Sequence, residues 1–254
     1  MSAIPEATRV RHEAKRRTLN IDRVEAISPS MTRIVLTGDE LAGFTSLGFD
    51  DHVKLFFPVA DGAAPPQMRD FTPRHHDAVA GELWIDFFLH EDGPAAEWIR
   101  QAKPKQLLGV GGPRSSFVLP VAGIDTHVFV GDETALPAIA RRLEELPHAS
   151  NAIAIVEIGA GATGYPLRSR ANLEVRALRR ADGEPAAGSV IAELKGVPYA
   201  PGNWFTWVAG ESHVAREIRR YLVDDRGLDK RRVKAAGYWR TGAVAAHERI
   251  SDEE

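Results

Sequence analysis

Hydrophobic and polar positions change rhythm once along the chain. From Leu19 to Phe117 the apolar residues sit in short runs broken by Gly and Pro: NIDRVEAI, TRIVLTG, HVKLFFP, RDFTPR, LWIDFFL and QLLGVGG. In HVKLFF the alternation is plain, with Val53, Leu55 and Phe57 on one face and His52, Lys54 and Phe56 on the other. Six such runs predict a small six-stranded antiparallel barrel or sandwich. One helix interrupts them, over GPAAEWIRQA, with Gly93 and Pro94 at its start. After Pro120, HVFVG, IAIVEIG, LEVRAL, WFTWVAG and RVKAAGYW have the apolar density of buried strands, and TALPAIARRLEEL, SVIAELK and HVAREIRRYLVDD are amphipathic. Strands alternating with helices predict a parallel sheet covered on both faces. The expected organisation is a polar arm over 1–18, a β domain over 19–120, an α/β domain over 124–242 and a charged tail over 243–254.

Composition narrows the chemistry. With 44% hydrophobic residues among 254, most of the chain can bury a core, which excludes extensive disorder. Lys and Arg (32) against Asp and Glu (35) leave a net charge of -3, so there is no global attraction to nucleic acid or to an anionic membrane. The chain has no cysteine, which removes disulfides, thiolate metal sites, iron–sulfur clusters and thiol nucleophiles. Redox chemistry would need a bound cofactor. No run approaches 18 apolar residues and the N-terminus has no apolar leader, so a cytoplasmic protein without a membrane or nucleic-acid partner is expected. Arg9, Arg11, Lys15, Arg16 and Arg17 make the arm either an anion-binding element or a solvated leader.

Four local motifs invite a functional reading. GAGATG at 159–164 fits the dinucleotide pattern G-x-G-x-x-G, but Pro166 and a strand from Asn172 leave little room for a crossover helix, which favours a glycine-rich loop. In GDETALPAIARR at 131–142 an apolar strand runs into a helix, whose first N–H groups would lie at the carboxyl edge of a parallel sheet, where such sheets bind ligands. HHD at 75–77 places only His75 and Asp77 on one face, too few for a convincing metal site. Ser115 and Ser116 have no partnered base in any local motif, so hydrolysis is disfavoured.

Taken together, RDFTPR at 69–74, DFFLHEDGPAAEW at 86–98, GPRSSF at 112–117, GDETALPAIARRLEELP at 131–147, WVAGE at 207–211 and GYWRTG at 237–242 closely resemble the siderophore-interacting protein family. These are flavin-dependent ferric-siderophore reductases of the ferredoxin-reductase-like superfamily. The resemblance implies a six-stranded antiparallel flavin-binding barrel followed by a parallel-sheet nicotinamide-binding α/β domain. It implies FAD held by Arg69, Phe71, Thr72, Pro73, Arg74, Asp86, His90, Gly93, Pro94 and Ala95. Phe71 stands where the family usually has Tyr, which keeps ring stacking and loses a phenolic hydrogen bond. NADPH or NADH is assigned to Asp132, Glu133, Thr134, Ala135, Gly210, Glu211, Tyr238 and Trp239. Glu157 would favour a ribose 2′-OH, and Arg168, Arg170 and Arg179 a 2′-phosphate, so the choice between the two nucleotides stays open. The implied partner is an anionic ferric siderophore, bound by a basic cluster of Lys54, Arg114 and Arg240, in a protein expected to be a monomer. A general NAD(P)H:flavin oxidoreductase and a non-enzymatic siderophore carrier are the alternatives.

Overall fold

The computed structural model describes residues 6–58, 65–89, 93–159, 164–180, 186–199, 202–242 and 248–250. It divides into two compact units, one of Ala7–Val118 with Thr163–Pro166, the other of Leu119–Ala162 and Leu167–Glu254 with the first six residues.

The first unit is built from β1 (Thr8–Arg11), β2 (Arg16–Ser28), β3 (Met31–Thr37), β4 (Val53–Phe57), β5 (Gln67–Phe71), β6 (Pro73–Asp77), β7 (Glu82–Phe88), α1 (Pro94–Arg100), β8 (Leu107–Gly111) and β9 (Ser115–Val118). Seven strands form one curled antiparallel sheet in the order β5-β4-β8-β2-β3-β7-β6. Its two edge strands are consecutive in the chain, separated only by Thr72. The RDFTPR run therefore spans both edges: Arg69 and Phe71 pair with Leu55 and Val53, while Pro73 pairs with Ile85 on the far strand. Six hydrophobic runs thus supply seven strands, because alternation marks a buried face and carries no sign of where a run changes partner. Leu19, Ile34, Leu36, Val53, Leu55, Leu83, Ile85 and Val110 are fully buried inside the sheet, each contributing about 1.5–3 kcal/mol of transfer free energy.

Part of the basic arm forms β1, which pairs with β9 while Arg9 and Arg11 stay exposed, Arg9 opposite Phe117 and Arg11 opposite Ser115. Its anchor is a polar clasp. The Ser116 hydroxyl donates to Asp51 (2.5 Å), stands 2.7 Å from His12 Nε2 and accepts the Leu47 amide (3.1 Å). Its histidine partner is 104 positions away in the chain, so no local motif could show it, and Ser116 is fully buried and engaged on every side. It holds strands together and cannot attack a substrate.

The second unit contains β10 (Thr126–Gly131), α2 (Leu136–Glu145), β11 (Asn151–Ile158), β12 (Asn172–Arg179), α3 (Ala187–Lys195), β13 (Trp204–Glu211), α4 (Ser212–Arg220), β14 (Val233–Trp239) and β15 (Glu248–Ile250). The sheet order is β12-β11-β10-β13-β14-β15, parallel except for β15. From β10 the chain builds outward through β11 and β12, then returns to the other side of β10 with β13. That reversal is the topological switch point, where open α/β sheets bind ligands at the carboxyl ends. Val128 and Val130 of β10 pack with Val190, Leu194, Ala215 and Ile218 of α3 and α4. Gly131 lies on the opposite face against Ala135 and Ile139, the side of α2. Residues 164–171 of the glycine-rich connection after β11 contain no helix, and 160–163 lie outside the described residues, as do loop residues 181–185 and tail residues 243–247 and 251–254.

Candidate functional site

In the barrel unit, packing brings together the two segments expected to hold a flavin. Phe57 of β4 has ring centroids 6.1 Å from Phe71 and 5.2 Å from Trp98 of α1, and Phe87 lies 4.4 Å from Phe71. One aromatic core thereby positions both the RDFTPR strand and α1. Helix α1 opens on Gly93, whose φ of 121° belongs to glycine, and no side chain caps it, so its first amides keep their donors. Ala95 is half-buried and Ala96 buried, and Thr72 is buried at the corner between the sheet edges. Arg69 is half-buried on the edge strand; its guanidinium bonds the Met68 carbonyl (2.8 Å) and, among the described residues, meets no carboxylate. A guanidinium, a hydroxyl, uncapped amides and an aromatic face form a donor set suited to a phosphate-bearing aromatic ligand.

Arg74 and Asp86 belong to a buried network that includes two residues the sequence reading missed. Asp86, with no side-chain exposure, accepts a two-pronged bond from Arg33 (2.6 and 2.8 Å) and one from the Tyr165 hydroxyl (2.6 Å). Arg74 Nε donates to the same Tyr165 hydroxyl (3.3 Å) and stands 4.0 Å from Asp86. Burial, with the Asp86 charge beside it, pushes the Tyr165 phenol up, so it stays protonated as a donor. Arg33 left a faint signal, a charge inside the apolar run TRIVLTG; Tyr165, at the end of a glycine loop, left none. Pro73 is buried beside Arg74 on β6, and His90 lies outside the described residues.

In the α/β unit, a small, open cleft lies at the carboxyl ends of β10 and β13, lined by Gly131, Asp132, Glu157, Gly210 and Glu211 with apolar residues of α3 and α4. Asp132 organises it, accepting from the Thr134 amide (2.9 Å) and hydroxyl (2.5 Å), the Glu211 amide (3.1 Å) and Trp239 Nε1 (2.7 Å). Burial raises its pKa, partly opposed by these donors. Glu211 caps α4, accepting the His213 and Val214 amides (2.6 and 3.0 Å). Glu133 turns inward to Arg180 (2.9 Å), which also meets Glu157 (3.2 Å). The expected free N–H groups at the start of the helix after β10 are not all free, since the Ala135 and Leu136 amides bond Asp132 and Glu133 carbonyls. Glu157, expected to face a ribose, is held by Arg180, another residue the sequence reading missed. Tyr238 sits edge-on to Trp207 at 6.0 Å.

Residues 124–242 match the sequence profile described as siderophore-interacting protein, and residues 20–66 and 59–117 that of the siderophore-interacting FAD-binding domain. A NADPH-dependent ferric-chelate reductase of Escherichia coli is 37% identical over 251 residues, covering 91% of this chain and 95% of the relative. The chain belongs to the siderophore-interacting protein family. The crystal structure of a siderophore utilization protein from T. fusca superposes with a TM-score of 0.87 at 35% identity, covering 95% of this chain and 98% of that one. A ferric vibriobactin reductase of Vibrio cholerae is 28% identical over 262 residues, covering 94% of this chain and 96% of the relative.

In this siderophore-interacting protein the three expected substrate cations differ in setting. Lys54 bonds both oxygens of Asp70 at 2.9 Å, which offsets its charge. Arg114 is exposed, and its carbonyl accepts the His12 amide (2.9 Å). Arg240 is exposed just beyond β14, in the other unit. Among the described residues there is no cluster of His, Asp and Glu able to hold a metal, HHD included, and no helix long and apolar enough to cross a membrane.

Proposed function

We propose that this chain is a ferric-siderophore reductase that takes electrons from NADPH or NADH through FAD and delivers them to Fe(III) in an anionic chelate. The observation that carries the reading is the aromatic core joining Phe71 to Trp98, which sets the Arg69–Thr72 strand and the uncapped start of α1 on one barrel. The name of the Escherichia coli relative, a NADPH-dependent ferric-chelate reductase, supports it. What FAD supplies when bound is the conversion of a two-electron hydride into single-electron transfers. The chain's own residues do the rest. Arg69 and the α1 amides neutralise phosphate, Phe71 presents a ring face, and the Thr72 hydroxyl offers a hydrogen bond. At the switch point, Gly131 lets α2 pack close through Ala135 and Gly210 lets the Asp132 carboxylate approach, so that Asp132 and Trp239 fix the cleft floor against which a nicotinamide would rest. Lys54, Arg114 and Arg240 attract the anionic chelate, the substrate. Its hard oxygen ligands hold Fe(II) less tightly than Fe(III), so reduction releases the metal. No side-chain acid or base is required for that step.

Purified protein should be yellow with flavin absorbance, and NADPH or NADH plus a ferric catecholate should yield Fe(II) trapped by a ferrous chelator. A colourless protein that still binds the chelate would instead identify a carrier, and turnover of free flavin without chelate reduction a general flavin reductase.

A further inference from the structure

The glycine-rich connection after β11 fits a dinucleotide pattern, and residues 164–171 of it contain no crossover helix. Its end, Thr163–Pro166, belongs to the barrel unit. Gly164 takes a φ of 85°, open to glycine, and a residue before proline, as Tyr165 is, favours an extended backbone. This short turn buries the phenol between Arg74 and Asp86, where its oxygen donates to the carboxylate (2.6 Å) and accepts from Arg74 Nε (3.3 Å). Asp86 is already fixed by the two bonds from Arg33. The hydroxyl is therefore a hydrogen-bonded link between this fixed geometry and Arg74, two residues beyond the corner at Thr72, alongside the longer 4.0 Å approach of Arg74 to Asp86.

We propose that Tyr165 is a positioning residue for the flavin site: its hydroxyl, presented by the turn at Gly164–Pro166, holds Arg74 against the Arg33–Asp86 pair. The inference rests on the reading that the Arg69–Arg74 segment holds FAD. Without the hydroxyl, Arg74 Nε loses its hydrogen bond to Tyr165 and is held less closely to the Arg33–Asp86 pair, so a phosphate-bearing ligand meets a less well-ordered guanidinium. Arg33 and Asp86 keep their mutual bonds, so the barrel remains folded.

The test is a double-mutant cycle on FAD-saturated protein, with Kd obtained from free FAD in ultrafiltrates and folding checked by the thermal midpoint. Tyr165→Phe should weaken FAD about tenfold, the change expected for one hydrogen bond to a charged group. In an Arg74→Ala background, or Arg74→Lys should the alanine variant not fold, the same substitution should change Kd little. A purely structural tyrosine would lower the thermal midpoint equally in both backgrounds and leave Kd unchanged. Unchanged Kd in Tyr165→Phe while Arg74→Ala weakens binding, or full additivity in the double variant, overturns the role of Tyr165. Failure of the unmodified protein to retain FAD, or no effect of Arg74→Ala, overturns the flavin reading of the segment itself.

Discussion

Trp239 donates its indole N–H to Asp132 Oδ2 at 2.7 Å, joining residues 107 positions apart. The same carboxylate accepts the Glu211 amide, so one side chain ties the ends of β10, β13 and β14 together. Gly210 makes this possible: its φ is 151°, and a Cβ there would stand 2.6 Å from Asp132 Oδ2. The cleft floor is thus a hydrogen-bonded plate, and its acidic residues are spent on structure.

Asp132→Ala should consequently destabilise the protein by about 2–4 kcal/mol, because several buried donors lose their acceptor together. Trp239→Phe removes one donor and leaves the carboxylate with three, so a loss of about 1–2 kcal/mol is expected. Urea unfolding of the two variants checks both the order and the sizes; equal losses would mean that the indole bond alone carries the plate.

His127 gives the stability a pH dependence. It is fully buried on β10, Nε2 has no hydrogen-bond partner among the described residues, and burial, with Arg142 nearby, lowers its pKa from 6.5 to about 3. The unfolded chain therefore binds a proton below about pH 6.5 that the native state refuses, so this contribution is present above that pH and is lost as pH falls. The slope approaches about 1.4 kcal/mol per pH unit below pH 6, which gives roughly 2.3 kcal/mol between pH 6.5 and 4.5. His127→Phe, a ring of similar shape beside the stacked Phe129, should flatten the urea-midpoint profile over that range.

Val214 of α4 lines the cleft at the switch point and is only partly buried. Val214→Trp should fill the cleft and slow flavin reduction by NADPH at least tenfold, while dithionite still reduces the flavin. Stopped-flow absorbance separates the two; a normal NADPH rate would place the nucleotide elsewhere.

Neutralising Arg114 and Arg240 together should raise KM for a ferric catecholate several-fold and leave NADPH-dependent flavin reduction unchanged. The catecholate reaction of the unmodified protein should weaken with added salt, since exposed charges are screened over about 8 Å at physiological ionic strength. Lys54→Ala alone should have the smaller effect, because Asp70 already offsets its charge. Equal loss in both half-reactions would count against a substrate role for these cations.

Alternation and amphipathic spacing in the sequence determined two folds in order, a curled antiparallel sheet and a parallel one. They also placed Gly93 at a helix start and Gly131, Asp132 and Glu211 at strand ends, because each of those properties is local: a side chain's face, a cap, a turn. Tertiary structure alone decided that RDFTPR breaks at Thr72 to serve both edges of its sheet, that Asp132 reaches Trp239, that Glu157 is held by Arg180, and that Tyr165 stands beside Arg74. Each of these joins groups distant in the chain or chooses between partners of equal local propensity, and the period of a strand or helix encodes which face is buried but not which distant residue meets it.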